Sequence, residues 1–181
     1  MQDVSHPPGG RLFLVVGPSG AGKDTLMIEA RKSLTPDYVF PRRTITRPNH
    51  PGVEDHVSVT SYEFLGLELT RQFAMSWQAH DLNYGIPVAI ERELREGRHV
   101  VVNVSRSVVQ DVKARFDNVR VILVTAGREA LASRLRSRGR DDAGDIAERL
   151  TREQPVEPDF IVVNDGSVES GVAKLLLALC S

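Results

Sequence analysis

The 181-residue chain contains one cysteine, Cys180. No disulfide can close within the chain, and no thiolate metal cage can form. This usage predicts a reducing cytoplasm. Five histidines, at 6, 50, 56, 80 and 99, are scattered without the spacing of metal ligands. No apolar run approaches the ~20 residues that a membrane-crossing helix needs. The stretch up to Arg11 holds Pro7, Pro8, Gly9 and Gly10 and lacks an apolar h-region, so it does not read as a secretory signal. Residues 1–10 are expected to be a flexible N-terminal segment. Lysine is scarce: four of the 23 basic residues, against 19 arginines. A formal net charge of −1 argues against a nucleic-acid coat or a polybasic membrane anchor. Neither a Ser-His-Asp triad nor a pair of carboxylates poised for hydrolysis is found.

What is present is enough for a core. Hydrophobic residues make up 41% and charged residues 26%, the balance of a globular chain. The length suits one domain, expected over residues 11–181. Leu12 to Val16 is an unbroken, β-branched apolar run that reads as a buried parallel strand. A Gly-rich turn and a helix from Lys23 to Leu34 follow. Tyr38 to Phe40 is a candidate strand, and residues 41–60, with Pro41, Pro48, Pro51 and Gly52, read as an irregular excursion. Ser61 to Arg71 reads as a helix capped by Ser61, and Asn83-Tyr84-Gly85 as a turn. Val88 to Glu96 is predicted helical, with Gly97 as its stop.

The second half alternates more plainly. Strands are predicted at His99–Val104, Val119–Thr125 and Phe160–Val163. Helices are predicted at Ser107–Phe116, Arg128–Ser137, Asp145–Glu153 and Val168–Leu179. Strands alternating with helices predict an α/β fold with a parallel central sheet covered on both faces, a three-layer arrangement.

The strongest chemical signal is Gly17-Pro18-Ser19-Gly20-Ala21-Gly22-Lys23-Asp24-Thr25. Gly17, Gly22 and Lys23 fit the phosphate loop G-x-x-x-x-G-K, with a buried strand entering and a helix leaving. The glycines let backbone N–H groups curl around phosphate oxygens, and the helix N-terminus adds its positive dipole end. Lys23 would reach the β- and γ-phosphates. The residue after the lysine is normally Ser or Thr, whose hydroxyl ligates Mg²⁺; here it is Asp24, followed by Thr25. Hard cations favour carboxylates, so Asp24 and Thr25 are the candidate metal positions, with Thr25 also expected to bond a phosphate.

The arginine excess has two readings, codon bias or phosphate recognition. From Arg128 to Arg152 there are seven arginines and no lysine. Arg134, Arg138 and Arg149 bracket a charged loop, 138–145, that would close over a transferring phosphoryl group, stabilise its charge and exclude water. The alternative is a solvated surface pairing Arg with Glu129, Asp141, Asp142 and Glu148. A second cluster, Arg42-Arg43-Thr44-Ile45-Thr46-Arg47-Pro48, suits an acceptor phosphate site within region 41–87. His56, Tyr84 and Arg106 could add donors, although each could equally serve packing or the surface.

These motifs resemble those of the nucleoside monophosphate kinases, guanylate kinase most closely, over nearly the whole chain from Arg11. The resemblance implies a P-loop fold of guanylate-kinase type with an acceptor-binding excursion and an Arg-rich lid. It implies that Arg47 of Thr44-Ile45-Thr46-Arg47-Pro48 grips the acceptor phosphate. Arg43 stands at the position of a phosphate-contacting serine, His56 at that of a tyrosine, and Tyr84 at the phosphate-contacting tyrosine of an N-Y-Y-G turn. Asn164 falls in the segment beside the adenine.

The departures fall on the base-reading groups. Ser76 stands where guanylate kinases carry a glutamate before the tryptophan, and Ile86 where they carry a serine. Their D-I-D strand end is Asn103-Val104-Ser105. Together with G-K-D-T, R-R-x-I-T-R-P, Y-G-I-P and N-V-S-R, this pattern is similar to the ribose 1,5-bisphosphate phosphokinase family. That resemblance implies transfer from ATP, with Mg²⁺, to the 1-phosphate of ribose 1,5-bisphosphate, giving ADP and 5-phosphoribosyl 1-diphosphate in phosphonate utilisation. A nucleoside monophosphate kinase with altered base choice, or a guanylate-kinase-like binding module without catalysis, are the alternatives.

Overall fold

The computed structural model describes residues 9–48, 55–137 and 156–181. The expected lid loop 138–145, with Arg138 and with Arg149 beyond it, and the helix expected over Asp145–Glu153 lie outside the described residues.

Five strands form a parallel sheet: β1 (Leu12–Val16), β2 (Tyr38–Val39), β7 (His99–Asn103), β8 (Val119–Thr125) and β9 (Phe160–Val163), in the order β2-β7-β1-β8-β9. All five residues of β1 are buried, as the unbroken apolar run requires of a strand covered on both faces. Residue for residue, β1, β8 and β9 are the strands expected from the sequence.

The chain divides into two compact units. The first comprises Met1–Phe13, Thr35–Val102 and Gln110–Val119. It holds a four-stranded sheet of order β4-β3-β6-β5, built from β3 (Arg43–Ile45), β4 (His56–Ser58), β5 (Phe73–Ala79) and β6 (Leu82–Pro87). The excursion expected to be irregular therefore contributes two strands. At three residues each they are too short to carry a period-two signal. The turn expected at Asn83-Tyr84-Gly85 is likewise corrected, because those residues lie within β6. The chain reverses one step earlier, at His80-Asp81, both left-handed with φ 51° and 58°, between the paired Ala79 and Leu82. A two-residue turn of this hand matches the twist of a hairpin. Gly85 is a strand glycine because the Phe73 ring occupies its side-chain space, 2.5 Å from an ideal Cβ.

Helix α2 (Ser61–Leu69) is capped by Thr60 rather than Ser61. The same unit contains α3 (Ile90–Arg95), followed by Gly97 at φ 83°, and most of α4 (Val109–Arg115).

The second unit comprises Leu14–Leu34, Asn103–Val109 and Arg120–Ser181. It contains α1 (Lys23–Arg31), the 3₁₀ turn Arg106–Val108, α5 (Arg128–Ser137) and α6 (Val168–Leu179). α1 packs on α6, burying Leu26 and Ala30 from one and Leu175, Ala178 and Leu179 from the other. Gly171 makes this approach possible, since an ideal Cβ there would lie 2.8 Å from Leu26 Cδ2.

Candidate phosphoryl-transfer site

The turn between β1 and α1 is built by two glycines that admit no side chain. Gly17 has φ 146°, and a Cβ on it would lie 1.9 Å from the Val124 carbonyl oxygen. Gly22 caps α1 in a left-handed conformation, φ 88°, and a Cβ there would lie 2.6 Å from Asn164 Nδ2. With both positions held to backbone alone, the loop and the first turn of α1 form a cradle of N–H groups suited to phosphate oxygens. Lys23, the first residue of α1, turns back over this loop, its Nζ donating to the carbonyls of Gly17 (2.7 Å) and Pro18 (2.9 Å). The ammonium thus sits on the rim of the cradle.

Asn164, expected beside the adenine, lies beneath the loop. It is buried, and its Nδ2 donates to the Ala21 carbonyl at 2.8 Å. Its own carbonyl accepts from Arg134 Nη2 at 2.9 Å. One residue therefore links the phosphate loop to the first of the expected lid arginines. The next contact was not anticipated: Asn103 Nδ2 donates to Asp24 Oδ1 at 2.7 Å. Asn103 ends β7, at the first position of the D-I-D departure. That departure was the signal in the sequence, but the pairing joins residues 79 apart. Thr25 is exposed on the first turn of α1, and Arg106 opens the 3₁₀ turn after Ser105, whose hydroxyl accepts from Ser107 N.

Mg²⁺ in kinase sites is bound by one or two carboxylates together with substrate phosphates rather than by an all-protein cage. Asp24, with the Thr25 hydroxyl beside it, suits that arrangement. Among the described residues no cluster of three or more His, Cys, Asp or Glu could hold a metal ion.

Three expected acceptor residues of the first unit, Arg43, His56 and Tyr84, lie on one face of its sheet. Arg43 pairs with His56 across β3 and β4, Ile45 with Tyr84 across β3 and β6, and Tyr84 with Trp77 across β6 and β5. Directly opposed residues share a face, and alternate residues return to it. Arg43, His56, Tyr84 and Trp77 are thus on the same side as the buried Ile45 and Ile86. The Trp77 and Tyr84 rings are stacked, with centroids 5.3 Å apart and planes within 5°. Trp77 thereby fixes the orientation of Tyr84, a role the sequence did not reveal.

His56 is only 1% exposed, and its Nε2 donates to the Arg47 carbonyl at 3.0 Å. Thr46 Oγ1 accepts from Asn83 N at 2.9 Å and anchors the Thr46-Arg47-Pro48 turn to β6. Arg42 is engaged by Asp55 Oδ1 at 2.7 Å, just before β4, and by the His56 carbonyl at 2.8 Å. Ser76 lies on the opposite face, where its hydroxyl donates to Glu68 Oε1 of α2 at 2.5 Å.

The family model for guanylate kinase matches residues 9–180. The chain is 51% identical over 173 residues to the ribose 1,5-bisphosphate phosphokinase PhnN of Acidiphilium cryptum, covering 94% of this chain and 92% of that one. It is 44% identical to the protein of the same name from Methylobacterium radiotolerans, covering 94% and 97%. Among solved structures, the guanylate kinase of Anaplasma phagocytophilum superposes with a TM-score of 0.72 at 17% identity, covering 96% of this chain and 86% of that one. The chain belongs to the guanylate kinase family and, within it, to the ribose 1,5-bisphosphate phosphokinases.

Proposed function

We propose that the chain transfers the γ-phosphoryl group of ATP to the 1-phosphate of ribose 1,5-bisphosphate, releasing ADP and 5-phosphoribosyl 1-diphosphate. One observation supports this acceptor over a nucleotide. The two positions that would read a guanine hold Ser76, bonded to Glu68, and Ile86, fully buried. Arg47 and Tyr84 keep the residue types of the acceptor-phosphate site, and an arginine is added at position 43. Removing a buried donor–acceptor match to a base costs several powers of ten in discrimination.

An oxygen of the 1-phosphate attacks the γ-phosphorus, and the bond to the bridging β–γ oxygen breaks as ADP leaves. That oxygen is already ionised at neutral pH, so the step requires no general base. Catalysis then consists of alignment and charge stabilisation. Lys23 and the loop N–H groups hold the donor phosphates. Arg134, Arg138 and Arg149 serve the transferring group and the lid. Arg43, Arg47, Tyr84 and Arg106 grip the acceptor. His56 supports Arg47 through its carbonyl. Asp24 and Thr25 would hold Mg²⁺, which supplies charge neutralisation on the ATP phosphates. We assign the reaction to the cytoplasm; no helix among the described residues is long and apolar enough to cross a membrane.

The test is ADP release with ribose 1,5-bisphosphate and, separately, with GMP. Turnover on the bisphosphate and little on GMP is expected. Turnover on GMP alone would overturn the proposal.

A further inference from the structure

In P-loop NTPases the metal is held by a loop Ser or Thr and by an acidic residue of a neighbouring strand. Here the carboxylate is in the loop, at Asp24, and the neutral side chain is at the strand end, at Asn103. The two chemistries have changed places, and the residues touch through the 2.7 Å hydrogen bond from Asn103 Nδ2 to Asp24 Oδ1. Asn103 is 7% exposed. The next residue, Val104, donates its N–H to the Val15 carbonyl of β1 at 3.1 Å, so the strand end is fixed to the strand that feeds the loop.

We propose that Asn103 is the positioning residue for the Asp24 carboxylate, and that the pair is a transposed metal-binding couple. The inference rests on the reading of Asp24 as the Mg²⁺ residue. An amide donor orients the carboxylate without competing for the metal and without adding charge. A carboxylate at 103 beside Asp24 would place two negative groups in contact next to polyphosphate, which like-charge repulsion disfavours. Each member explains the other: an acid in the loop calls for a neutral donor at the strand end.

The experiment is calorimetric binding of a non-hydrolysable ATP analogue, with Mg²⁺ and with EDTA, alongside Tm. The proteins are wild type, Asp24→Ala, Asp24→Ser, Asn103→Ala and the exchange variant Asp24→Ser/Asn103→Asp. Partners of metal ligands typically matter by 10- to 100-fold, so Asn103→Ala is expected to weaken binding of the Mg²⁺ form by about that factor and to leave binding in EDTA within about twofold. The exchange variant, with acid and neutral partner in their usual places, is expected to recover about tenfold over Asp24→Ser.

Equal weakening with and without Mg²⁺ in Asn103→Ala would overturn the inference, leaving Asn103 a packing residue. So would an exchange variant no better than Asp24→Ser, and this variant answers the question even if Asn103→Ala does not fold. If Asp24→Ala keeps the full Mg²⁺ gain, the metal role of Asp24 falls and this inference with it. If Asp24→Ala loses the gain and the Asn103 results fail, the inference alone falls. No acceptor is in the assay, so the outcome does not depend on the sugar substrate.

Discussion

Gly17 and Gly66 show how differently two glycines can be constrained. An added methyl at Gly17 would meet the Val124 carbonyl oxygen at 1.9 Å, on a backbone at φ 146°, so either β8 or the loop would have to move. At Gly66, inside α2, nothing but its chain neighbours and the helix's own backbone lies within 4 Å of the same methyl. Gly17→Ala is therefore expected to lower stability by more than the ~1–3 kcal/mol of backbone strain alone, and to lose binding of an ATP analogue. Gly66→Ala is expected to raise stability by about 0.5–1 kcal/mol, the usual gain of alanine over glycine inside a helix. Denaturant unfolding of both variants checks the pair; similar losses in both would show that the contact at Gly17 is not what constrains it. At this scale the phosphate loop was legible because its residues are consecutive. The Asn103–Asp24, Asn164–Ala21 and Trp77–Tyr84 contacts were not, because each depends on which strand ends or faces meet, and no local pattern encodes that.

The elements divide along the same line. Long apolar strands and amphipathic helices such as β1, β8 and α6 appear where their periodicity places them. The turn expected at Asn83-Tyr84-Gly85 falls inside β6: Asn and Gly are the commoner turn formers, whereas here His80-Asp81 makes the turn and Gly85 serves packing against Phe73. The start of α2 was displaced by one residue for a reason visible in its cap. Thr60 Oγ1 accepts from Glu63 N at 3.2 Å, and Glu63 Oε2 accepts from Thr60 N at 2.7 Å, a reciprocal capping box. The bonds that the Thr60 backbone N–H and, secondly, the Thr60 hydroxyl donate to Glu63 Oε2 hold this carboxyl below its usual pKa. Thr60→Ala is expected to cost about 1 kcal/mol, the usual value of such a cap, while Ser61→Ala changes little. Thermal melts of the two variants test this. The reverse order would return the cap to Ser61. The Glu63 contribution is present above the ordinary carboxylate range and is lost as pH falls through its lowered pKa.

For the whole molecule, a net charge of −1 conceals local concentrations of cationic groups, Arg43 and Arg47 in one unit and Lys23, Arg106 and Arg134 in the other. The pH dependence of global stability has a source elsewhere, at His99. Its backbone N–H donates to the Asp37 carbonyl at 2.7 Å, and its ring Nδ1 accepts from Arg11 N at 3.0 Å. The ring lies edge-on to Phe13 and 4.9 Å from Tyr38. Burial, reinforced by the Arg11 charge and opposed by Asp37, lowers the His99 pKa. The folded protein therefore keeps the neutral ring, whose Nδ1 must stay unprotonated to accept from Arg11. Between the ordinary value of about 6.5 and the lowered one, the unfolded chain binds more protons, so stability rises with pH across that window. The contribution is intact above about pH 6.5 and is lost as pH falls through the folded-state pKa. His99→Asn keeps an acceptor for Arg11 N but cannot titrate. Between about pH 8 and about pH 5, the Tm of the wild type is expected to fall further than that of His99→Asn. Parallel Tm profiles would show that His99 does not drive the acid destabilisation.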